Sequence, residues 1–204
     1  MSLITQIIRA AAPLPVLESY QRFLFVGPHP DDIEIGAGAT AAKLAAAGKQ
    51  ICFLICTDGR YGFDHAPADL SSPDELAEIR EKEALRSAEM LGVSDVRFGK
   101  LSDGAFYTRS DLSEVILRTV SDFQPDVLFC PDPSVTSECH SDHLNVGEET
   151  KRAACFAPNG KIMERHGLRS APVQAIAFYM TAKPNRYVGT DGYLQQQLDA
   201  IFLC

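Results

Sequence analysis

Short, uninterrupted apolar runs that each end at a polar turn point to a sheet buried on both faces. Residues 23–27 read Phe-Leu-Phe-Val-Gly and end at Pro28, and residues 51–56 read Ile-Cys-Phe-Leu-Ile-Cys and end at a Thr-Asp-Gly turn. Runs of this kind are typical of parallel strands that are covered by helices. Residues 35–48 between them are rich in alanine and end at Gly48, which predicts a helix. The three segments therefore form one strand–helix–strand unit of a parallel sheet.

The same alternation continues along the chain. Ser72, Pro73 and Glu75 supply an N-cap, a proline at the first helical position and the glutamate of a capping box, so a helix is predicted from there to about Leu91. Further elements are predicted as strands at residues 96–98, 126–130 and 173–180, and as helices over 112–123 and after His143. We therefore expect an α/β fold with a mostly parallel sheet, as a single domain over residues 1–204.

Composition places the chain among compact globular proteins. Of its 204 residues, 46% are hydrophobic and 23% are charged, which excludes disordered, collagen-like and coiled-coil classes. The net charge of −8 disfavours nucleic acid and anionic membranes as partners, so a small neutral or polar ligand is expected. The first twenty residues lack the apolar segment of a signal peptide, and the six cysteines form no CxxC pair. These features predict a cytoplasmic location, reduced and mostly buried thiols, and no membrane insertion.

Residues that can carry chemistry follow the predicted strands, where an open parallel sheet binds its ligands. After the first strand, residues 28–34 read PHPDDIE, with His29, Asp31 and Asp32 at the start of a helix. Either aspartate alone would be explained as a helix cap, but capping does not account for the histidine. Imidazole nitrogen and carboxylate oxygen together suit zinc or a similar divalent ion such as Fe²⁺.

A second cluster follows the fourth strand, where residues 139–143 read CHSDH. His140 and His143 share one face if a helix begins there, so one can bind a metal while the other faces a substrate. Metal sites are commonly assembled from separate loops, and two strand ends that each carry histidine and aspartate therefore predict a site between them. His65 and His166 stand alone and are predicted to be structural.

Three motifs together resemble the PIG-L/LmbE-type N-acetylglucosaminyl deacetylases. They are PHPDD at residues 28–32, TDG at 57–59 and HSDH at 140–143, and the similarity covers about residues 23–180. The resemblance implies a Rossmann-like three-layer sandwich with its site at the carboxyl ends of the strands. It also implies homo-oligomers, a zinc ion with an open coordination position, and hydrolysis of the acetamide in an N-acetylglucosamine unit of a sugar or glycoconjugate.

The resemblance implies a role for each residue that matches the family motifs. His29, Asp32 and His143 would be the metal ligands. Asp31 would be the base that takes a proton from the attacking water, a role that suits a carboxylate close to a metal-activated water molecule.

The remaining roles concern the leaving amine and the sugar. His140 would stabilise the oxyanion or protonate the amine, with Asp142 orienting or charging it. Arg80 and Glu83 lie on the inward stripe of the long helix, where charged groups need partners. Either they pair with each other at i, i+3, or, as the resemblance favours, Arg80 contacts sugar hydroxyls. Asp103 is expected to contact the sugar as well.

The chain departs from the family pattern in three places. Ile33 separates the aspartate pair from Glu34, and Ser141 stands where proline is frequent. The sequence also stops at Cys204, where the family continues into a His-x-Ser-Gln-like segment, and this raises the expectation of a truncated C-terminus. None of the departures falls on a proposed ligand.

Two alternative interpretations stay open. Gly36 and Gly38 resemble part of a dinucleotide fingerprint, and Asp58 lies where the ribose-binding acid of a Rossmann-type oxidoreductase would lie. Residues 28–35 separate these glycines from their strand, however, and close helix packing against the sheet explains them better; Asp58 is expected to shape its own turn by accepting backbone hydrogen bonds. The second alternative is a metal-binding relative without catalysis, from which Asp31 would distinguish an enzyme.

Overall fold

The computed structural model describes residues 2–11, 15–65 and 70–204, with the side chains of residues 5, 8–10 and 63–65 outside the description. The described chain contains five strands, which are β1 (Arg22–Gly27), β2 (Gln50–Thr57), β3 (Asp95–Leu101), β4 (Val127–Pro131) and β5 (Ala175–Tyr179). Its α-helices are α1 (Leu3–Ala11), α2 (Asp32–Ala46), α3 (Pro73–Met90), α4 (Arg109–Phe123), α5 (Ser141–Phe156), α6 (Gly160–Arg165) and α7 (Leu194–Ile201), with short 3-10 helices at Leu17–Ser19 and Arg60–His65. None of these helices is long and apolar enough to cross a membrane.

The five strands form one sheet in the order β3-β2-β1-β4-β5, and every pairing is parallel. The predicted parallel sheet is therefore confirmed. The direction in which strands are added reverses between β1 and β4. In open α/β sheets, the crevice beyond the carboxyl ends of the strands at such a switch point is where ligands bind.

Alternate side chains of β1 pack on opposite faces of the sheet. Phe23 and Phe25 join an apolar cluster with residues of α2, α3 and α7, where the ring of Phe25 stacks on that of Phe129 with centroids 4.3 Å apart. Leu24 and Val26 join a second cluster with residues of α4, α5 and α6. The sheet is thus the middle layer of a three-layer sandwich, as the sequence predicts.

Gly36 and Gly38 lie inside α2 and serve packing. A Cβ atom at Gly36 would stand 2.4 Å from the ring of Tyr179 in β5, and a Cβ atom at Gly38 would stand 3.0 Å from Cγ of Gln197 in α7. The sequence prediction of close packing on the sheet is therefore confirmed for Gly36, whereas Gly38 packs on a helix instead. Neither glycine lies in a loop between strand and helix, which disfavours the dinucleotide-binding interpretation.

The N-terminus of α3 follows the predicted capping with one difference. The Ser72 side chain accepts a hydrogen bond from the backbone N–H of Glu75. The Glu75 carboxylate accepts bonds from the backbone N–H and hydroxyl of Ser71, at 2.9 and 2.6 Å, and not from Ser72. The helix that carries Arg80 is held firmly at its start by this arrangement.

The cysteines are free thiols, as predicted. Cys52, Cys56 and Cys130 are buried within β2 and β4, and burial raises the pKa of each of these thiols. Cys139 and Cys155 are exposed, so the prediction of mostly buried thiols holds only for the strand cysteines.

Candidate metal centre and active site

The two polar clusters predicted from the sequence meet at the switch point of the sheet. His29 and Asp32 follow β1, and His140 and His143 follow β4, its parallel neighbour. The ring centroid of His29 lies 4.7 Å from that of His140 and 5.4 Å from that of His143. Side chains more than a hundred positions apart in the chain are thus brought into contact by the pairing of two strands.

His29 lies at the centre of this cluster. Its Nδ1 is 3.0 Å from Oδ2 of Asp32, and its Nε2 is 3.1 Å from Oδ2 of Asp142 and 3.5 Å from Oδ1 of Asp103. All four side chains are buried. Burial alone would lower the pKa of His29, but the hydrogen bonds to the three carboxylates outweigh it and raise that pKa to about 11. Three carboxylates around one imidazole make this position strongly negative, and it therefore favours a cation.

His143 lies between two carboxylates. Its Nε2 is 3.3 Å from Oδ1 of Asp32, and its Nδ1 is 2.9 Å from Oε2 of Glu138. Glu138 also accepts a hydrogen bond of 2.8 Å from the backbone N–H of His140 through Oε1. Asp32 contacts both His29 and His143, so the three predicted metal ligands lie together.

The donor chemistry of this cluster fits a divalent metal ion. Two sets of side chains could each hold one ion, because the donor atoms within a set all lie within 4.8 Å of one another. One set is His29, His140 and His143, and the other is His29, Asp103, His140 and Asp142. Imidazole nitrogen and carboxylate oxygen are ligands that zinc and Fe²⁺ accept. The first set contains His140 where the resemblance implies Asp32. Asp32 contacts the imidazoles of His29 and His143, and its role as a metal ligand stays a prediction.

Asp31 occupies an unusual backbone conformation beside this cluster. Its φ is 127° and its ψ is −30°, a region that residues other than glycine rarely adopt. Strained backbone conformations of this kind cluster at functional sites. Nη2 of Arg80 donates to Oδ2 of Asp31 at 2.7 Å and also to the carbonyl of Pro30. Burial raises the pKa of Asp31, while the nearby guanidinium of Arg80 opposes that shift. The ion pair with Arg80 thus fixes the position of the Asp31 carboxylate, and its role as a base stays a prediction.

Arg80 points inward from α3, as predicted, but its partner differs. It forms its ion pair with Asp31 rather than with Glu83 of the same helix, and Nη1 lies 3.4 Å from the carbonyl of Gly59. The i, i+3 pair is therefore not the arrangement in this structure. Contact between Arg80 and sugar hydroxyls stays a prediction.

Asp142 is fully buried and organises the loop after β3. Its carboxylate accepts hydrogen bonds of 2.6–2.9 Å from three groups of that loop, which are the backbone N–H groups of Gly104 and Ala105 and the hydroxyl of Tyr107. The resemblance implies that the Asp142 carboxylate orients or charges His140. In the structure its Oδ2 lies 3.9 Å from Nδ1 of His140 but only 3.1 Å from Nε2 of His29. The backbone N–H of Asp142, by contrast, donates to Nδ1 of His140 at 3.3 Å. Asp142 therefore orients His140 through its main chain and His29 through its side chain.

Asp103 and Asp58 stabilise the loops on the other side of His29. Oδ2 of Asp103 accepts a hydrogen bond of 3.1 Å from the backbone N–H of Tyr61. Asp58 accepts bonds from the backbone N–H groups of Arg60 and Asp103, at 3.2 and 3.4 Å. The turn-shaping role predicted for Asp58 is confirmed, and contact between Asp103 and a sugar stays a prediction.

The cluster opens into a cavity of about 420 Å³, within the size range of small-molecule sites. Most of the predicted site residues line it, namely His29, Asp31, Asp32, Arg80, Asp103 and His140. Glu138 contacts this group but was not singled out by the sequence. It belongs to no periodic pattern or recognisable motif, and it acquires its role only through the folding of its loop. The sequence offers Tyr107 either as a sugar-stacking ring or as a packing residue, and in the structure its hydroxyl donates to Asp142.

Comparison with known proteins identifies close relatives of this chain. Residues 24–154 match the model of the family PIG-L, described as GlcNAc-PI de-N-acetylase. The diacetylchitobiose deacetylase of Thermococcus kodakarensis is 34% identical over 185 residues, which are 89% of this chain and 68% of that protein. The 1D-myo-inositol 2-acetamido-2-deoxy-alpha-D-glucopyranoside deacetylase of Kineococcus radiotolerans is 34% identical over 206 residues, covering 87% of this chain but only 56% of the relative.

A solved structure of another protein is similar to this one over nearly the whole chain. The N,N'-diacetylchitobiose deacetylase from Pyrococcus horikoshii superposes with a TM-score of 0.87 and 28% sequence identity. The match covers 98% of this chain and 76% of that one. The α/β fold is therefore the fold of a known deacetylase.

Proposed function

This chain belongs to the PIG-L family, and from that premise we propose that it is a zinc-dependent hydrolase that removes the acetyl group from a substrate containing N-acetylglucosamine. The observation that carries the proposal is the convergence of His29, Asp32 and His143 from two strand ends, with Asp31 beside them in an open cavity. Both curated relatives are named as deacetylases of acetamido sugars, which supports the same substrate class.

His29, Asp32 and His143 would hold the metal. Three protein donors leave a coordination position free, which is typical of catalytic rather than structural zinc sites. Bound there, zinc would lower the pKa of a water molecule towards about 7 and polarise the acetamide carbonyl. The same donors accept Fe²⁺, so this ion is the alternative cofactor.

Asp31 accepts the proton of the attacking water in this proposal. Its side chain is partly exposed to the cavity, and its ion pair with Arg80 fixes the carboxylate in position. Burial raises the pKa of Asp31, which brings a carboxylate closer to the range in which it is an effective general base.

His140 stabilises the developing charge in this proposal. Its Nδ1 accepts a hydrogen bond from the backbone N–H of Asp142 at 3.3 Å. A neutral imidazole that accepts at Nδ1 carries its proton on Nε2. That N–H can donate a hydrogen bond to the developing oxyanion, and the proton that Asp31 takes from the water would pass to the leaving amine.

Incubation of the metal-loaded protein with N-acetylglucosamine glycosides is expected to release acetate and free amine in equal amounts, because cleavage of one amide bond produces one of each. Both products are measured, by an enzymatic acetate assay and by derivatisation of the amine. O-acetylated sugars without an acetamide are the control for esterase activity. A protein that binds one metal and releases no acetate from any acetamido sugar would be a non-catalytic relative.

Glu138 is predicted to act as a positioning residue for His143. A carboxylate that accepts from one ring nitrogen fixes the tautomer and directs the other nitrogen to the metal. Glu138→Ala is therefore expected to weaken metal binding about 10- to 100-fold, with Glu138→Gln intermediate because its amide oxygen still accepts. The dissociation constant is measured by competition with a chelator.

The matched control is Glu148→Gln, which alters a glutamate of α5 that pairs with Lys151 at 3.2 Å. This control is expected to bind metal with the affinity of the unmodified chain. Equal affinities in Glu138→Ala and the control would show that the contact with His143 contributes nothing to metal binding.

A further inference from the structure

A second cavity, of about 380 Å³, lies where α4 packs beside α5. The residues that line it in the described chain are all different from those that line the active-site cavity. Its wall carries three arginine side chains, two from α4 and one from α5, which are Arg109, Arg118 and Arg152. We refer to this cavity as the arginine groove. The proposed hydrolysis gives it no role.

The arginine groove contains a buried carboxylate that two of the arginines share. The side chain of Glu149 is only 4% exposed. Its Oε1 accepts a hydrogen bond from Nη1 of Arg109 at 3.3 Å and another from Nη1 of Arg152 at 2.8 Å. Two guanidinium groups therefore meet at one oxygen atom. Because one carboxylate neutralises only one of them, a unit of positive charge is left over beside it.

Arg118 adds a third guanidinium group to the groove. It pairs with Glu114 one turn away at 2.7 Å, and the two side chains are 60% and 59% exposed. Exposed pairs of this kind contribute little to stability, so Arg118 can turn to another anion at low cost. Three arginines and two glutamates line the groove, which leaves one positive charge among them in a chain whose net charge is −8. A cleft with an excess of one sign of charge attracts ions of the opposite sign.

The hydrogen-bond donors of the groove are suited to an anion with several oxygen atoms. The hydroxyls of Ser110 and Ser113 line it together with the arginines. Arg109 is held in position by Asn145, whose Oδ1 accepts from Nη2 at 3.2 Å. The planar guanidinium group matches the geometry of carboxylate and phosphate. A phosphoryl group offers three terminal oxygen atoms where a carboxylate offers two, so it can use more of these donors.

We propose that the arginine groove binds the phosphoryl group of a small molecule, which is either inorganic phosphate or a phosphate monoester. The oxygen atoms of this group accept from Arg109, Arg118 and Arg152, and its charge offsets the positive charge that Glu149 leaves uncompensated. The cavity is within the size range of small-molecule sites, so the organic part of an ester can be accommodated. This site goes beyond the proposed function, because it lies outside the active-site cavity and requires no turnover.

The test is calorimetric titration of the metal-loaded protein with inorganic phosphate and, separately, with glucose 6-phosphate. One equivalent of phosphate or of the ester is expected to bind, and the ligand with the lower dissociation constant identifies the source of the phosphoryl group. Arg118→Gln is expected to weaken this binding about 10- to 100-fold, because a hydrogen bond to a charged group contributes that much. The matched control is Arg186→Gln, which changes an arginine that lies 3.5 Å from Glu18 elsewhere on the surface. The control is expected to bind with unchanged affinity.

Glu149→Gln is expected to change the affinity in the opposite direction. The amide oxygen of glutamine still accepts from Arg109 and Arg152, but the competing negative charge is removed. Phosphate should therefore bind about 5-fold more tightly. Absence of binding by both ligands would overturn the site. Binding with the same affinity in Arg118→Gln and in the unmodified chain would also overturn it, because the anion would then lie elsewhere, for example on the metal. None of these results depends on acetate release, so failure of the proposed function is detected separately.

Discussion

Replacing Asp31 by asparagine is expected to lower kcat about 10²- to 10⁴-fold while the metal content stays unchanged. The amide keeps the size and shape of the side chain, but it cannot take a proton from the attacking water. The values are obtained from acetate release by the metal-loaded variant and from elemental analysis of the same preparation.

The matched control for this variant is Asp199→Asn, on the exposed face of α7, where the carboxylate accepts a hydrogen bond from Gln195. It should retain full turnover. An unchanged kcat in Asp31→Asn would remove this residue from the mechanism. Loss of the metal together with turnover would instead make Asp31 a ligand.

Replacing His143 by alanine is expected to abolish stable metal binding. His143 supplies one of three ligands and touches a second, Asp32, at 3.3 Å. Its loss should weaken the metal complex by more than the roughly 100-fold seen for residues that only support a ligand. Metal per chain is measured by elemental analysis of protein purified without chelator, and His166→Ala, in a separate groove lined by Arg118 and Arg152, is the control.

This variant also distinguishes the two sets of donors in the cluster. The set formed by His29, Asp103, His140 and Asp142 does not use His143. If that set held the ion, the alanine variant would keep one metal per chain. Retention of the metal would therefore contradict His143 as a ligand and would favour Asp103 and Asp142 as ligands instead.

The layers of the fold are predictable from local patterns. Because β1 and β2 are covered on both faces, nearly all of their residues are apolar, and these runs are visible in the sequence. The start of α3 is predicted by its capping residues. The later elements are harder to predict. α6 and α7 are short, and α7 is anchored by long-range contacts such as that of Gln197 with the backbone of Glu34, which no local pattern reveals.

The contacts within the candidate site are likewise predictable only where they are local in the sequence. His29 and Asp32 are three positions apart, and their contact follows from one turn. The contacts of Arg80 with Asp31 and of Asp142 with His29 depend on the order of the strands, which apolar runs do not specify. The individual roles of the site residues, the homo-oligomer and the cytoplasmic location stay predictions.

Zinc-dependent deacetylation is tested by titrating metal-free protein with Zn²⁺ while acetate release from an N-acetylglucosamine glycoside is followed. The rate is expected to rise in proportion to added zinc and to reach a plateau at one equivalent per chain, with no rise in His143→Ala. A parallel titration with Fe²⁺ compares the alternative ion. A rate that is independent of metal, or full occupancy without release of acetate, would contradict a zinc-dependent deacetylase.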